Sequence, residues 1–189
     1  MLASTAVHSF IQRLGVAFLT MIDPVNLKRS RATPVDRAYQ IAYRWGYQVM
    51  RLYWRLRRPN TRGSLVALWN RGDVLLVRNS YVRYYGLPGG YVRRGEDGRQ
   101  AALRELFEEV GVAVRADDLE LLLDETHDWE GKRDHVQIFT LELATRPEVQ
   151  IDHREVVEAM WSPLPHALTL ELFPPLRRVL EARSRACRN

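Results

Sequence analysis

The chain has 189 residues, 46% hydrophobic and 27% charged, which is enough to bury one full core under a solvated surface, so one domain of catalytic size is expected. Its single cysteine, Cys187, excludes an intrachain disulfide and any cysteine-built metal site, and a reducing, cytoplasmic setting is the expectation. Charge is uneven: residues 1–62 carry a net +9 and residues 63–189 a net −4, so a basic arm precedes a mildly acidic domain.

In chain order, the first apolar segment is interrupted by His8, Gln12 and Arg13 and is broken by Asp23-Pro24. It is too short to span a bilayer, and it lacks the basic start and the cleavage site of a secretory leader. Residues 28–34 (KRSRATP) read as a polar linker. A long helix is expected over residues 36–57, opened by Asp36 as N-cap and closed by Pro59-Asn60. Two strands, residues 65–69 and 74–77, follow as a hairpin turned by Asn70-Arg71-Gly72-Asp73. The turn-rich GLPGG of residues 86–90 leads into a helix over residues 97–110 that ends at Gly111. Further strands are expected at residues 119–123, 136–143 and 156–161, and a last helix at residues 175–183. Hairpins mixed with longer crossovers predict an α/β fold with a mixed sheet flanked by helices.

The chemistry concentrates in residues 90–112, GYVRRGEDGRQAALRELFEEVGV. Glu105, Glu108 and Glu109 are spaced i, i+3, i+4, which places three carboxylates on one helical face. Like charges at that spacing repel, so the arrangement costs stability unless a cation is present. A hard divalent ion such as Mg²⁺ takes carboxylate oxygens and keeps room for water and substrate phosphates. Arg104 lies four residues before Glu108, within reach of a charge-assisted contact, and Glu96 adds an acid from the preceding loop. Glutamates at this spacing also occur on ordinary solvated helix faces, so their spacing alone does not decide the matter.

Nine positions together do. Gly90, Glu96, Arg104, Glu105, Leu106, Glu108, Glu109, Gly111 and Val112 fill every fixed position of a pattern that resembles the Nudix box. On average residue usage, a chance match falls below about one in a million. The resemblance runs over residues 60–185 and implies the Nudix α/β/α sandwich around a mixed sheet. It implies a Mg²⁺ site, with Mn²⁺ as the alternative ion, held by Gly90 through its carbonyl and by Glu105, Glu108 and Glu109. The implied reaction is hydrolysis of a phosphoanhydride bond in a nucleoside-diphosphate-linked small molecule, with Glu105, Glu108, Glu109 and Arg104 as catalytic residues. In the family the base is either the glutamate in the position of Glu105 or an acid on a later loop. The later loop here offers Asp124, Glu125, Asp128, Glu130 and Asp134, with Glu155 and Glu158 in reserve. On this reading residues 1–34 are an extension with a short amphipathic helix and a linker, residues 35–59 a basic aromatic helix, and residues 60–189 the hydrolase domain.

The substrate is open at this point. Thr126 stands where ADP-ribose hydrolases carry proline, Trp129 replaces the tyrosine of dinucleoside polyphosphate hydrolases, and neither the NADH nor the coenzyme A signature is present. Arg62 and Arg78, near strand ends that lead to the box, and Trp129, which could stack on a base, are the candidate substrate contacts. Two other readings stand beside the hydrolase: a catalytically silent nucleotide-binding module on the same fold, and an enzyme that trims the 5′ end of RNA. A small nucleotide-like substrate is expected and a specific nucleic-acid partner is not.

No part of the box explains the helix over residues 36–57. Ile41, Ala42, Trp45, Val49, Leu52 and Leu56 share one stripe, arginines lie beside it, and Tyr39, Tyr43, Tyr47, Met50 and Trp54 lie almost opposite. Two apolar faces need two partners. The hydrolase domain covers one. For the other, packing against residues 7–18 or a homodimer contact through the N-terminal helices ranks ahead of a peripheral membrane contact.

Overall fold

A computed structural model of the chain describes residues 32–187. The expected amphipathic segment of residues 7–18 and most of the linker lie outside the described residues. The first element, α1 (Pro34–Arg57), opens differently from the sequence expectation. Thr33, not Asp36, is the N-cap: its hydroxyl accepts the Asp36 amide at 3.2 Å, and Asp36 returns the contact by accepting the Thr33 amide at 2.8 Å. Pro34 at the first helical position, together with this reciprocal capping, sets the N-cap three residues upstream of Asp36.

The sheet contains β1 (Asn60–Asn70), β2 (Asp73–Asn79), β3 (Gly89–Tyr91), β4 (Glu120–Trp129), β5 (Lys132–Glu142) and β6 (Val156–Pro163). Its order is β4-β5-β1-β2-β6, with β3 paired to β1 off that path. β1 and β5 run parallel and the other pairs antiparallel, so the sheet is mixed, as expected. The Asn70–Asp73 hairpin forms with Arg71 at φ 51° and Gly72 at φ 86°, the paired positive angles that match the twist of the flanking strands. Glu130 (φ 52°) and Gly131 (φ 86°) make the same kind of turn between β4 and β5.

Alternation along β1 builds two cores. Val66 and Leu68 face α2 (Gly98–Val110), where they pack with Ala102, Leu106 and Val110. Ala67 and Trp69 face the opposite layer and pack with Leu176 and Leu180 of α4 (Pro174–Ala186). Each fully buried leucine or valine contributes about 1.5–3 kcal/mol. The result is helix, mixed sheet, helix. A short helix, α3 (Leu164–Ala167), and a 3-10 turn (Ala116–Asp118) complete the described elements.

Several elements differ from the sequence expectation. β4 continues to Trp129 and β5 begins at Lys132, four residues before Val136, so Asp124, Glu125, Asp128 and Asp134 stand on strands rather than on a loop. β3 lies where only a turn was expected. β1 begins five residues before Leu65. The tyrosine face of α1 packs on the domain: Gln40 donates to the His153 carbonyl at 2.7 Å, Arg44 to the Ser80 carbonyl at 2.9 Å, and Trp54 is buried under Lys132. Among the described residues no helix is long and apolar enough to cross a membrane.

Candidate active site

The box helix α2 begins at Asp97, whose side chain accepts the Gln100 amide at 2.8 Å while Gln100 accepts the Asp97 amide, and it ends on Gly111 at φ 71°. The caps fix which face of α2 meets β3. Gly89 has φ +151° and sits so close to β1 that a Cβ there would lie 2.3 Å from the Ser64 carbonyl oxygen. Gly90 is crowded from the other side: a Cβ there would lie 2.7 Å from the Glu105 carboxyl carbon. Only glycine lets this backbone meet α2 so closely.

The carboxylates gather around that strand. Glu109, 8% exposed, accepts the Gly89 amide at 2.8 Å. Burial, with the Glu155 and Glu105 charges after it, holds the Glu109 carboxyl well above the usual range. Burial also raises Glu105, against the pull of Arg104. Arg104 ties the group together: it donates to Glu96 from Nε at 2.8 Å and from a terminal nitrogen at 2.9 Å, to Glu108 at 3.2 Å, to the Tyr91 carbonyl at 3.0 Å, and to Glu105. These bonds, with the Arg93 amide at 2.9 Å, keep Glu96 below the usual carboxylate range. The sequence suggested that Arg104 orients Glu108; it orients Glu96 and Glu105 as well.

Glu155 sits with this cluster. Burial first, and the Glu105 charge second, push its carboxyl up to about 7. The Tyr81 hydroxyl donates to it at 3.0 Å, and the Asn79 amide donates to Tyr81 at 2.9 Å. The sequence placed Glu155 in reserve because no local pattern marks it; it reaches the site from the segment before β6. The acids ranked ahead of it have other partners. Asp124 pairs with His135 and Gln137, Glu125 with Arg178, Glu130 with Tyr47 and Arg51, and Asp134 with Lys132 and Thr61. For Asp128 the structure gives a place on β4 opposite Arg133. Glu158, the other reserve, pairs with Arg78 at 2.8 Å.

The three candidate substrate contacts fall in three places. Arg62 lines a shallow cleft of about 370 Å³ with Thr126, Arg133 and His135. Arg78 is held by Glu158 and lies 5.9 Å over the Tyr85 ring. Trp129 packs edge-on against Tyr84 at 6.0 Å and Phe173 at 5.8 Å, and His127 adjoins Phe173 at 5.8 Å. Both His127 ring nitrogens are buried and have no hydrogen-bond partner.

The donor chemistry suits a hard cation: Glu105, Glu108, Glu109 and Glu155 supply four carboxylates, with Arg104 and Arg93 as the cationic side chains bonded to the box acids. The ligand set is not preassembled. Among the described residues no three acidic or histidine side chains converge as a ready cation site. Arg104 instead bonds Glu96, Glu105 and Glu108 to itself.

Comparison with known proteins gives the family. The NUDIX domain model matches residues 59–182. The chain belongs to the NUDIX domain family. A Bacillus subtilis (strain 168) protein named as a candidate 8-oxo-dGTP diphosphatase is 42% identical over 52 residues, 27% of this chain and 35% of that protein. An RNA pyrophosphohydrolase of Dinoroseobacter shibae is 40% identical over 67 residues, 34% of this chain and 40% of that protein. The chain thus spans well under half the length of these relatives. Among solved structures, the MutT NUDIX hydrolase from Burkholderia pseudomallei superposes with a TM-score of 0.58 at 25% identity, over 65% of this chain and 96% of that one. The α/β/α architecture expected from the box is therefore the observed fold.

Proposed function

We propose that the chain is a metal-dependent pyrophosphohydrolase, cutting a phosphoanhydride bond in a nucleoside-diphosphate-linked small molecule in the cytoplasm. One observation carries the reading: Glu105 and Glu109 of α2 meet the backbone of β3, where Glu109 accepts the Gly89 amide at 2.8 Å and a Cβ at Gly90 would lie 2.7 Å from the Glu105 carboxyl carbon, and burial holds both carboxyls above the usual range. A fold gains nothing from such crowding unless a cation relieves it. Glu105, Glu108, Glu109 and the Gly90 carbonyl would hold Mg²⁺ or Mn²⁺. The ion would supply neutralisation of the diphosphate and of the charge that develops as the bond breaks.

The chain's own residues do the rest. Arg104 fixes Glu96 and Glu105 against β3. Glu155, held by Tyr81, is the acid whose position best suits accepting a proton from the attacking water. The aromatic group of Tyr84, Trp129 and Phe173, with unpartnered His127 nitrogens beside it, offers stacking surface and an edge for hydrogen bonds, which suits a nucleobase. Arg62 and Arg78 are the basic side chains for phosphate.

The test is product release from nucleoside diphosphates and triphosphates, nucleotide sugars, dinucleoside polyphosphates and 5′-triphosphorylated RNA, with Mg²⁺, Mn²⁺ or EDTA. Cleavage of small nucleotides with either ion supports the proposal, and indifference to EDTA refutes it. The RNA arm is included because the Dinoroseobacter shibae relative is named for that activity. RNA as the preferred substrate would replace the small-molecule reading.

A further inference from the structure

The tyrosine face of α1 is covered by the domain, and among the described residues nothing packs on its opposite face. Val35, Ile41, Trp45, Val49, Leu52 and Leu56 are all exposed, Trp45 by 71% and Leu56 by 74%. From Val35 to Leu56 the stripe runs about 30 Å along the helix. Monomeric proteins rarely leave so long an apolar strip in water.

The charges around the strip select its partner. At about 100° per residue, Arg37 and Arg55 flank one side and Arg57 the other. All three are exposed. The one acid on α1, Asp36, is 3% exposed and is turned inward onto Arg154 at 3.0 Å. Every exposed charge on this helix is therefore positive.

We propose that the outer face of α1 docks on an anionic membrane surface, with the apolar strip sunk at the headgroup boundary and the arginines on lipid phosphates. Interfacial helices combine an apolar face carrying tryptophan and leucine with flanking cations, and they bind more tightly as anionic lipid is added. A second copy fits less well. A symmetric pair of these faces would set arginines against arginines with no acid to answer them. This sets a lipid surface ahead of the second copy that the sequence ranked above it, because the fold turns the only acid of the helix away from the surface. The inner contacts to His153, Ser80 and Glu130 hold α1 in place, so the strip is presented as a formed helix rather than one that must fold on the lipid.

The experiment is co-sedimentation of the full chain with vesicles of phosphatidylcholine alone or mixed with phosphatidylglycerol, at low and high salt. The mixed vesicles should bind it at least about tenfold more tightly than the neutral ones, with the difference shrinking in high salt. The double variant Trp45→Ser, Leu52→Ser and the charge variant Arg55→Gln, Arg57→Gln should each lose most of this binding. Both should keep their thermal melt and their rate on a soluble nucleotide, because these side chains face solvent. Equal binding to neutral vesicles, or no binding to either, overturns the proposal. So does unchanged binding of the double variant, which would assign it to residues outside α1, or a stable dimer in light scattering that the double variant dissolves.

Discussion

The Tyr81 hydroxyl donates to Glu155 at 3.0 Å, while the Tyr81 ring lies 4.9 Å from that of Tyr47, so one side chain links α1 to the acid of the site that lies outside the box. Tyr81 lowers the proton affinity of Glu155, against the upward push of burial and Glu105. Tyr81→Phe removes that bond and keeps the ring. With Glu155 as proton acceptor, kcat should fall about tenfold, and the acidic limb of the pH–rate profile should move to higher pH while KM changes little. A profile that does not move would show that Glu155 takes no proton in the reaction.

Gly89 and Gly90 are adjacent, yet their alanine variants should fail in different ways. At Gly89 the new methyl meets the Ser64 carbonyl, which cannot step aside, at a backbone angle unfavourable to any side chain. Gly89→Ala should cost about 2–4 kcal/mol in urea unfolding. At Gly90 the new methyl meets only the movable end of Glu105. Gly90→Ala should keep most of its stability and lose activity by about tenfold or more as Glu105 is displaced. Equal stability loss in both variants would contradict the geometry.

The α1 cap should give stability a pH dependence of known sign. Burial alone would raise the Asp36 carboxyl, but the Thr33 hydroxyl and amide and the Arg154 guanidinium outweigh it, and the net shift is downward. A depressed carboxylate stabilises the fold above its unfolded value of about 3.9, and that contribution disappears as pH falls through the lower folded value. Asp36→Asn should therefore destabilise by about 1–3 kcal/mol at pH 7, with the gap from the parent closing as acid protonates the depressed carboxylate. Urea midpoints measured across that range check it; a gap that persists in acid would mean that the loss is not one of charge.

Local signals carried most of the fold. The box helix was legible because its caps, Asp97 and Gly111, and its fixed positions lie within one short stretch, and the Asn70–Asp73 hairpin because turn residues announce it. β4 was read short because Asp124 to Trp129 shows no apolar alternation; its pairing with β5 comes from backbone hydrogen bonds that composition does not mark. β3 is three residues of Gly-Gly-Tyr with little strand preference, and it exists because β1 offers it a ladder. Glu155 was not singled out from the other acids for a related reason. Its place beside Glu105 and Glu109 arises from the β2–β6 pairing and from Tyr81, contacts made far along the chain. The opening of α1 was misplaced because Asp36 serves equally well as an N-cap or as the third residue of a reciprocal cap, and Thr33-Pro34 decides between them.

If the carboxylates of Glu105, Glu108 and Glu109 hold a metal that does the chemistry, the metal and Glu109 together set the rate of product release from the best substrate of the panel, measured for the parent and for Glu109→Gln with Mg²⁺ and with EDTA. Glu109 is buried and bonded to the Gly89 amide, an interaction glutamine can keep, so the variant should fold as the parent does. EDTA should abolish hydrolysis, Mg²⁺ should restore it, and Glu109→Gln should lower the Mg²⁺-supported rate by about 10²-fold or more. Hydrolysis that continues undiminished in EDTA, or a Glu109→Gln variant as fast as the parent, would contradict it.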